Sequence, residues 1–161
     1  MYSWMMNPNL EKEWNDDILI VPPNEGEAFV SDGNKQKVIV PTFVTNNHYG
    51  LYDIEMAANA RGPKLHYHKL MDETFIVREG TLTVLTAKGE LTAKARTAIH
   101  IPKLSVHGYN NDTDNIVKMT MIFNPGLDRE DFFRKMYKML EENPNDLQAF
   151  QNLYLEMIAI H

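Results

Sequence analysis

From Ile18 onward, apolar residues come in short runs that are cut by Pro, Gly, Asn and Asp. Residues 18–21 stop at Pro22-Pro23, and residues 37–44 and 49–57 are parted by Asn46-Asn47. Residues 74–78 stop at Glu79-Gly80, 81–87 at Lys88-Gly89, and 97–101 at Pro102. A last run, 115–123, ends in Asn124-Pro125-Gly126. Short strands with frequent turn signals, and no strand–helix alternation, predict an all-β sandwich or barrel. The period then changes. Across 128–142, Phe132, Phe133, Met136, Tyr137 and Leu140 recur at helical spacing. Asp128, Glu130 and Asp131 fall in the first turn and Arg134, Lys135 and Lys138 later, an order that suits the helix dipole. Asn143-Pro144 breaks this helix, and a second is predicted over 146–160, with Leu147, Phe150, Tyr154, Met157 and Ile158 on one face. Both stripes are packing faces for the core or an interface.

Residues 1–17 have no period but carry Met1, Trp4, Met5, Met6 and Trp14. Such an arm needs a surface on its own domain or on a partner chain. The expected organisation is an arm over 1–17, a β-barrel over 18–126 and a helical tail over 127–161. No internal repeat interrupts it.

Composition narrows the function classes. The 161 residues suit one domain, and 43% apolar with 24% charged residues is ordinary for a globular chain. A net charge of −6 argues against nucleic-acid binding, which needs a basic face. Without cysteine, disulfides and thiolate zinc sites are excluded, and any metal must be held by nitrogen and oxygen. The start MYSWMMNPNLEKEW lacks the basic and apolar regions of a signal peptide, and no apolar run approaches a membrane span. A soluble cytoplasmic protein is expected.

The candidate chemistry sits in GPKLHYHKLMDE, residues 62–73. On a strand, His66 and His68 share a face, and two imidazoles so placed can bind one ion. Glu73 lies at an odd offset from them. It joins them only if 69–72 turns and a new strand begins near Glu73; Glu73, Phe75 and Val77 then face one way, and Thr74, Ile76 and Arg78 the other. The pair needs a third ligand, and the chain offers His48, His100, His107 and His161. His107 opens another β-rich stretch after Pro102, but spacing alone does not bring it across. His100, between two isoleucines, reads as a surface or sheet-face residue, with support of a ligand as its other role. His48 reads as a turn residue and His161 as terminal.

Together these residues resemble a small single-domain cupin. The first cupin motif is a glycine, HxH, a glutamate and a glycine; here Gly62, His66, His68, Glu73 and Gly80 stand in that order, with Gly62 two residues closer to His66 than usual. In the second motif Pro102, His107 and Asn111 match at the family spacing. Arg96 and Leu104 stand where that motif has glycines. Leucine at a position that needs positive φ predicts a rearranged turn, and such a turn would displace His107. The resemblance runs from about Ile18 to Arg134 and is to cupins related to quercetin 2,3-dioxygenase.

The resemblance implies a double-stranded β-helix, or jelly-roll, with one or two C-terminal helices. It implies one divalent transition-metal ion (Fe, Mn, Ni, Cu or Zn) on His66, His68, Glu73 and His107, with Glu73 as ligand, catalytic base or both. The implied activity is a dioxygenase acting on a small aromatic or enolic compound. A metal-dependent isomerase, cyclase or decarboxylase working without O₂, and a non-catalytic small-molecule-binding module, stay open beside it. Phe75, Met119, Met121 and Phe123 are candidates for the pocket wall and Tyr109 for a hydrogen bond to substrate; plain barrel core is the equal alternative. Relatives of this kind commonly pair, so a homodimer is expected.

Overall fold

Alternation of apolar and polar side chains builds two antiparallel sheets in the computed structural model, which describes residues 18–146, 148, 149, 152 and 153. The larger sheet contains β1 (Ala28–Ser31), β2 (Asn34–Val40), β3 (Gly50–Met56), β9 (Val117–Asn124), β4 (Asp72–Glu79) and β7 (Ala98–Ile101), in that spatial order. The smaller sheet is β6 (Gly89–Lys94), β5 (Thr81–Thr86) and β8 (His107–Asn110). This is the predicted all-β jelly-roll, with a helix, α1 (Arg129–Glu142), after the last strand.

Register explains the core. Across the larger sheet Tyr52 lies opposite Met121, and Met121 opposite Phe75; Ile54, Met119 and Val77 form the next row. All six side chains are at most 3% exposed. Each stabilises by roughly 1.5–3 kcal/mol through burial. One row further along, Glu73 lies opposite Phe123, so the period-2 pattern that buries Phe75 and Val77 also buries a carboxylate.

Helix α1 covers the part of the inner face near β1–β3. Phe133 packs edge-on against Tyr52 at 5.3 Å, and Tyr137 stacks on Phe29 at 5.1 Å. Its N-cap residue, Asp128, has left-handed backbone (φ 50), and its side chain makes no capping hydrogen bond. The helix start is held by Glu130 instead. That buried carboxylate accepts hydrogen bonds from Thr42 N at 3.0 Å, from Thr42 Oγ1 at 2.5 Å and from the Tyr52 hydroxyl. No helix among the described residues is long and apolar enough to cross a membrane.

Several predicted elements differ. Residues 18–21 are not a strand: Ile18 and Ile20 are each 66% exposed, and the Pro22-Pro23 pair supplies no backbone donors to a ladder. Instead Lys37 Nζ reaches the carbonyls of Pro22 and Pro23 at 2.9 and 2.8 Å. Strand β2 begins earlier than the predicted run and ends at Val40, since 42–47 turns. Strands β1 and β6 carried no sequence signal; in GELTAK only Ala93 is buried. The last turn of α1 contains no basic residue. Gln148, Ala149, Asn152 and Leu153 are helical. The rest of the second predicted helix, the arm over 1–17 and His161 lie outside the described residues.

Candidate metal centre

Three segments converge at one end of the barrel. A bend at Lys69 and Leu70 precedes β4, which opens at Asp72, so Glu73 is its second residue and points inward, 2% exposed. This is the turn that the HxH–Glu spacing requires. Residues 62–68 run beside β8 without forming a regular strand. They touch it at the bridges Arg61–Asn110 and His66–His107. His66 N donates to His107 O at 2.9 Å and His107 N to His66 O at 2.8 Å, which seats the HxH pair against the third histidine. Gly108 permits the approach: a Cβ there would lie 2.6 Å from Pro63 O.

The predicted rearrangement of the second motif does not occur. Arg96 and Leu104 adopt φ 74 and φ 70, the left-handed backbone that glycine would supply. Both turns are pinned by short backbone bonds, Arg96 N to Val77 O and Leu104 N to His68 O, each 2.7 Å. The Leu104 side chain is 61% exposed and meets no packed wall. His107 therefore stays in the cluster.

One ligand atom each from His66, His68, Glu73 and His107 lies within 4.8 Å of the others. Donors around one ion at roughly 2.1 Å stand about 3–4 Å apart, so a small contraction closes the set. Glu73 Oε2 is 2.7 Å from His107 Nε2 and 3.1 Å from His68 Nε2. The ring centroids of His66 lie 4.4 Å from His107 and 5.0 Å from His68.

Tautomers follow from the outer contacts. Nδ1 of His66 meets Lys64 O at 2.7 Å, and Nδ1 of His107 meets Ser105 O at 2.8 Å. A carbonyl only accepts, so each Nδ1 carries a proton and each Nε2 lone pair is aimed inward. A neutral His107 would then set a lone pair against the Glu73 carboxylate at 2.7 Å. Such a contact calls for a positive charge, from imidazolium or from a bound cation. Burial pulls the His107 imidazole down, but its contact with Glu73 outweighs this and raises it. Burial pushes the Glu73 carboxyl up, and its contacts with His107 and His68 reverse that, down to about 2. Burial holds His66 down at about 4 and lowers His68 as well. At neutral pH Glu73 is an anion and His66 and His68 are neutral, the states that bind metal. With Nδ1 of His66 and His107 held as donors and a carboxylate between the rings, the donor set fits a divalent ion, which would displace the proton that the Glu73 contact favours on His107.

The surrounding wall is apolar. Phe123 meets His68 edge-on at 5.6 Å, and Phe75 lies 6.5 Å from His107 and 5.2 Å from Tyr109. Phe75, Tyr109, Met119, Met121 and Phe123 are all buried members of the hydrophobic core. Asn111 of the second motif is structural: its Nδ2 donates to Ala57 O and Asn115 O, each at 2.7 Å. His100 is an exposed residue of β7, 3.1 Å from Thr74 Oγ1, and His48 lies in an exposed turn.

Sequence reasoning missed Arg129. This guanidinium is 5% exposed, and its Cζ lies 4.5 Å from the Phe123 ring, 4.3 Å from Phe132 and 5.2 Å from Phe133. A cation as first residue of a helix runs against the dipole, and that was the available signal.

Residues 52–123, from β3 almost to the end of β9, match the Cupin domain family. The chain is 26% identical over 119 residues to quercetin 2,3-dioxygenase of Bacillus subtilis (strain 168), a match that covers 73% of this chain and 34% of that protein. It thus spans about a third of that relative's length. Among solved structures, KdgF from Halomonas sp. superposes with a TM-score of 0.61 at 17% identity, covering 70% of this chain and 98% of that one. The polyketide cyclase RemF from Streptomyces resistomycificus gives 0.58 at 13%, covering 73% and 93%. The domain match over residues 52–123, the jelly-roll sheets and the His/Glu cluster together support a small cupin.

Proposed function

We propose that this cupin is a metal-dependent enzyme, of the dioxygenase type, acting on a small aromatic or enolic compound. His66, His68, Glu73 and His107 hold one divalent ion drawn from Fe, Mn, Ni, Cu or Zn. The observation that carries the reading is the 2.7 Å contact of His107 Nε2 with a buried carboxylate, when Nδ1 of the same ring is already a donor. When bound, the ion supplies a Lewis acid for an enolic or carbonyl oxygen. The Lys64 and Ser105 carbonyls keep two imidazoles in register. Glu73 offers a carboxylate oxygen to receive an enolic proton. Phe75, Met121 and Phe123 exclude water beside it, and Tyr109, 5.2 Å from Phe75, offers a hydroxyl to a polar group of the substrate.

Bound-metal analysis and O₂ uptake with flavonols test this. A redox-active metal with uptake supports it. The fold shared with a polyketide cyclase favours a second reading, Lewis-acid chemistry without O₂, as in an isomerase, cyclase or decarboxylase. Zinc, no uptake and turnover of a carbonyl substrate would establish that reading. A ligand that binds and never turns over would make the chain a binding module. Failure to take up any metal, with His66→Ala inert, would sink the metal centre itself.

The protein acts as a homodimer in this reading, and the cysteine-free composition supports a cytoplasmic setting. Support for pairing comes from Leu65, Tyr67, Leu104 and Val106, which are 52, 36, 61 and 37% exposed on the two segments that carry the histidines.

A further inference from the structure

The turn between β7 and β8 touches two of the four candidate ligand residues. Ser105 N donates to Pro102 O at 3.1 Å, which closes a tight turn over 102–105. Of its two central residues only Leu104 has positive φ, at 70, the pattern of a type II turn, where glycine is usual. The peptide between Lys103 and Leu104 points its N–H at His68 O, 2.7 Å away. Ser105 O, the next carbonyl, meets Nδ1 of His107 at 2.8 Å. A leucine favours negative φ, and a type I turn meets that preference by flipping the 103–104 peptide. The flip would carry the Leu104 N–H away from His68 O.

A side chain grips this turn from the outer side. Asp72 Oδ1 accepts a hydrogen bond from Lys103 N at 2.8 Å. Asp72 opens β4 and precedes Glu73, so strand alternation turns its carboxylate away from the cluster that Glu73 joins. Its other oxygen is 3.9 Å from His100 Nε2, too long for a hydrogen bond.

We infer that Asp72 is a positioning residue for the metal centre. By holding Lys103 N it keeps the 102–105 turn in the form that Leu104 resists. Leu104 N then stays on His68 O, and Ser105 O stays on the His107 ring. A glycine at 104 would make this turn unaided; here the aspartate supplies the restraint from β4. Asp72 acts on the ion only through the turn, and its role deepens the proposed function and rests on that metal centre.

Co(II) titration of the full chain, read by the visible spectrum of the bound ion, tests this. Asp72→Ala deletes the acceptor, Asp72→Asn keeps an acceptor without the charge, and Leu104→Gly makes the turn self-supporting. Asp72→Ala should weaken Co(II) binding about tenfold and alter the spectrum of the bound ion. Asp72→Asn, Leu104→Gly and the double variant Asp72→Ala/Leu104→Gly should each stay within about threefold of wild type, with the wild-type spectrum. His100→Ala should change neither reading; a loss there as large as with Asp72→Ala would assign the effect to the His100 contact and overturn the inference. If Asp72→Ala does not fold, Asp72→Leu carries the same comparison. A loss that Leu104→Gly does not rescue, an equal loss with Asp72→Asn, or no loss at all also overturns the inference and leaves the metal centre standing. Wild-type protein that binds no Co(II) overturns both.

Discussion

A carboxylate as buried as Glu73 stays ionised only where its neighbours compensate the charge. The two Nε2 contacts on one oxygen supply that compensation, and they make Glu73 the hub of the cluster. Glu73→Gln keeps the volume and removes the charge. Cobalt affinity is expected to fall by at least about 100-fold, beyond the loss usual for an outer partner of a ligand; affinity within tenfold of wild type would exclude Glu73 from the set. Leu104 poses a different single-residue problem. Its φ of 70 carries a left-handed cost of about 1–2 kcal/mol, and its side chain is largely exposed. Leu104→Gly relieves that strain but adds about 0.4–1 kcal/mol of unfolded-state entropy. The net expectation is a gain of between about 0 and about 1.6 kcal/mol in urea unfolding with unchanged metal affinity, and a clear loss would show that the leucine packs usefully.

At the level of elements, α1 is fastened to the barrel through Glu130 more than through its cap. Tyr52→Phe deletes the hydroxyl that donates to this buried carboxylate. A hydrogen bond to a charged group contributes about 1.5–3 kcal/mol, so the unfolding free energy in urea should drop by about 2 kcal/mol, seen as a lower midpoint at unchanged slope, with the core packing retained. A midpoint unmoved by the change would mean that Thr42 alone satisfies Glu130. The same comparison shows where elements were legible. Strands β3, β4 and β9 announce themselves because both their faces obey period 2 and one face is fully buried. Strand β6 hides because its pattern is exposed nearly throughout, and residues 18–21 mislead because an apolar run beside two prolines has no ladder to join. The helical period of 128–142 located α1 within one residue.

For the molecule as a whole, the ligand spacing was legible and the charge around it was not. The resemblance to the cupin motifs brought His66, His68, Glu73 and His107 together, which spacing alone did not do for His107, whereas Arg129 meets Phe123 of β9 only through the packing of α1. The fold also predicts how metal and stability are linked. An ion that binds the native centre at 100 times its dissociation constant stabilises by about 2.7 kcal/mol. Chelation should therefore lower Tm by roughly 5–10 °C, given about 2–4 °C per kcal/mol for a chain of this size. Equal melting with and without chelator would mean that no ion is held. Sedimentation should return twice the chain mass, 18.6 kDa, and a monomer at high concentration would remove the dimer.

Glu73 belongs to the larger sheet and His107 to the smaller, while His66 and His68 lie on the segment between strands. A shared ion would fasten both layers at a point where the chain, having no cysteine, has no covalent means of doing so. It would act as a removable rivet. The lifetime of the barrel against proteases would then follow the supply of metal in its surroundings, independently of any reaction the centre performs.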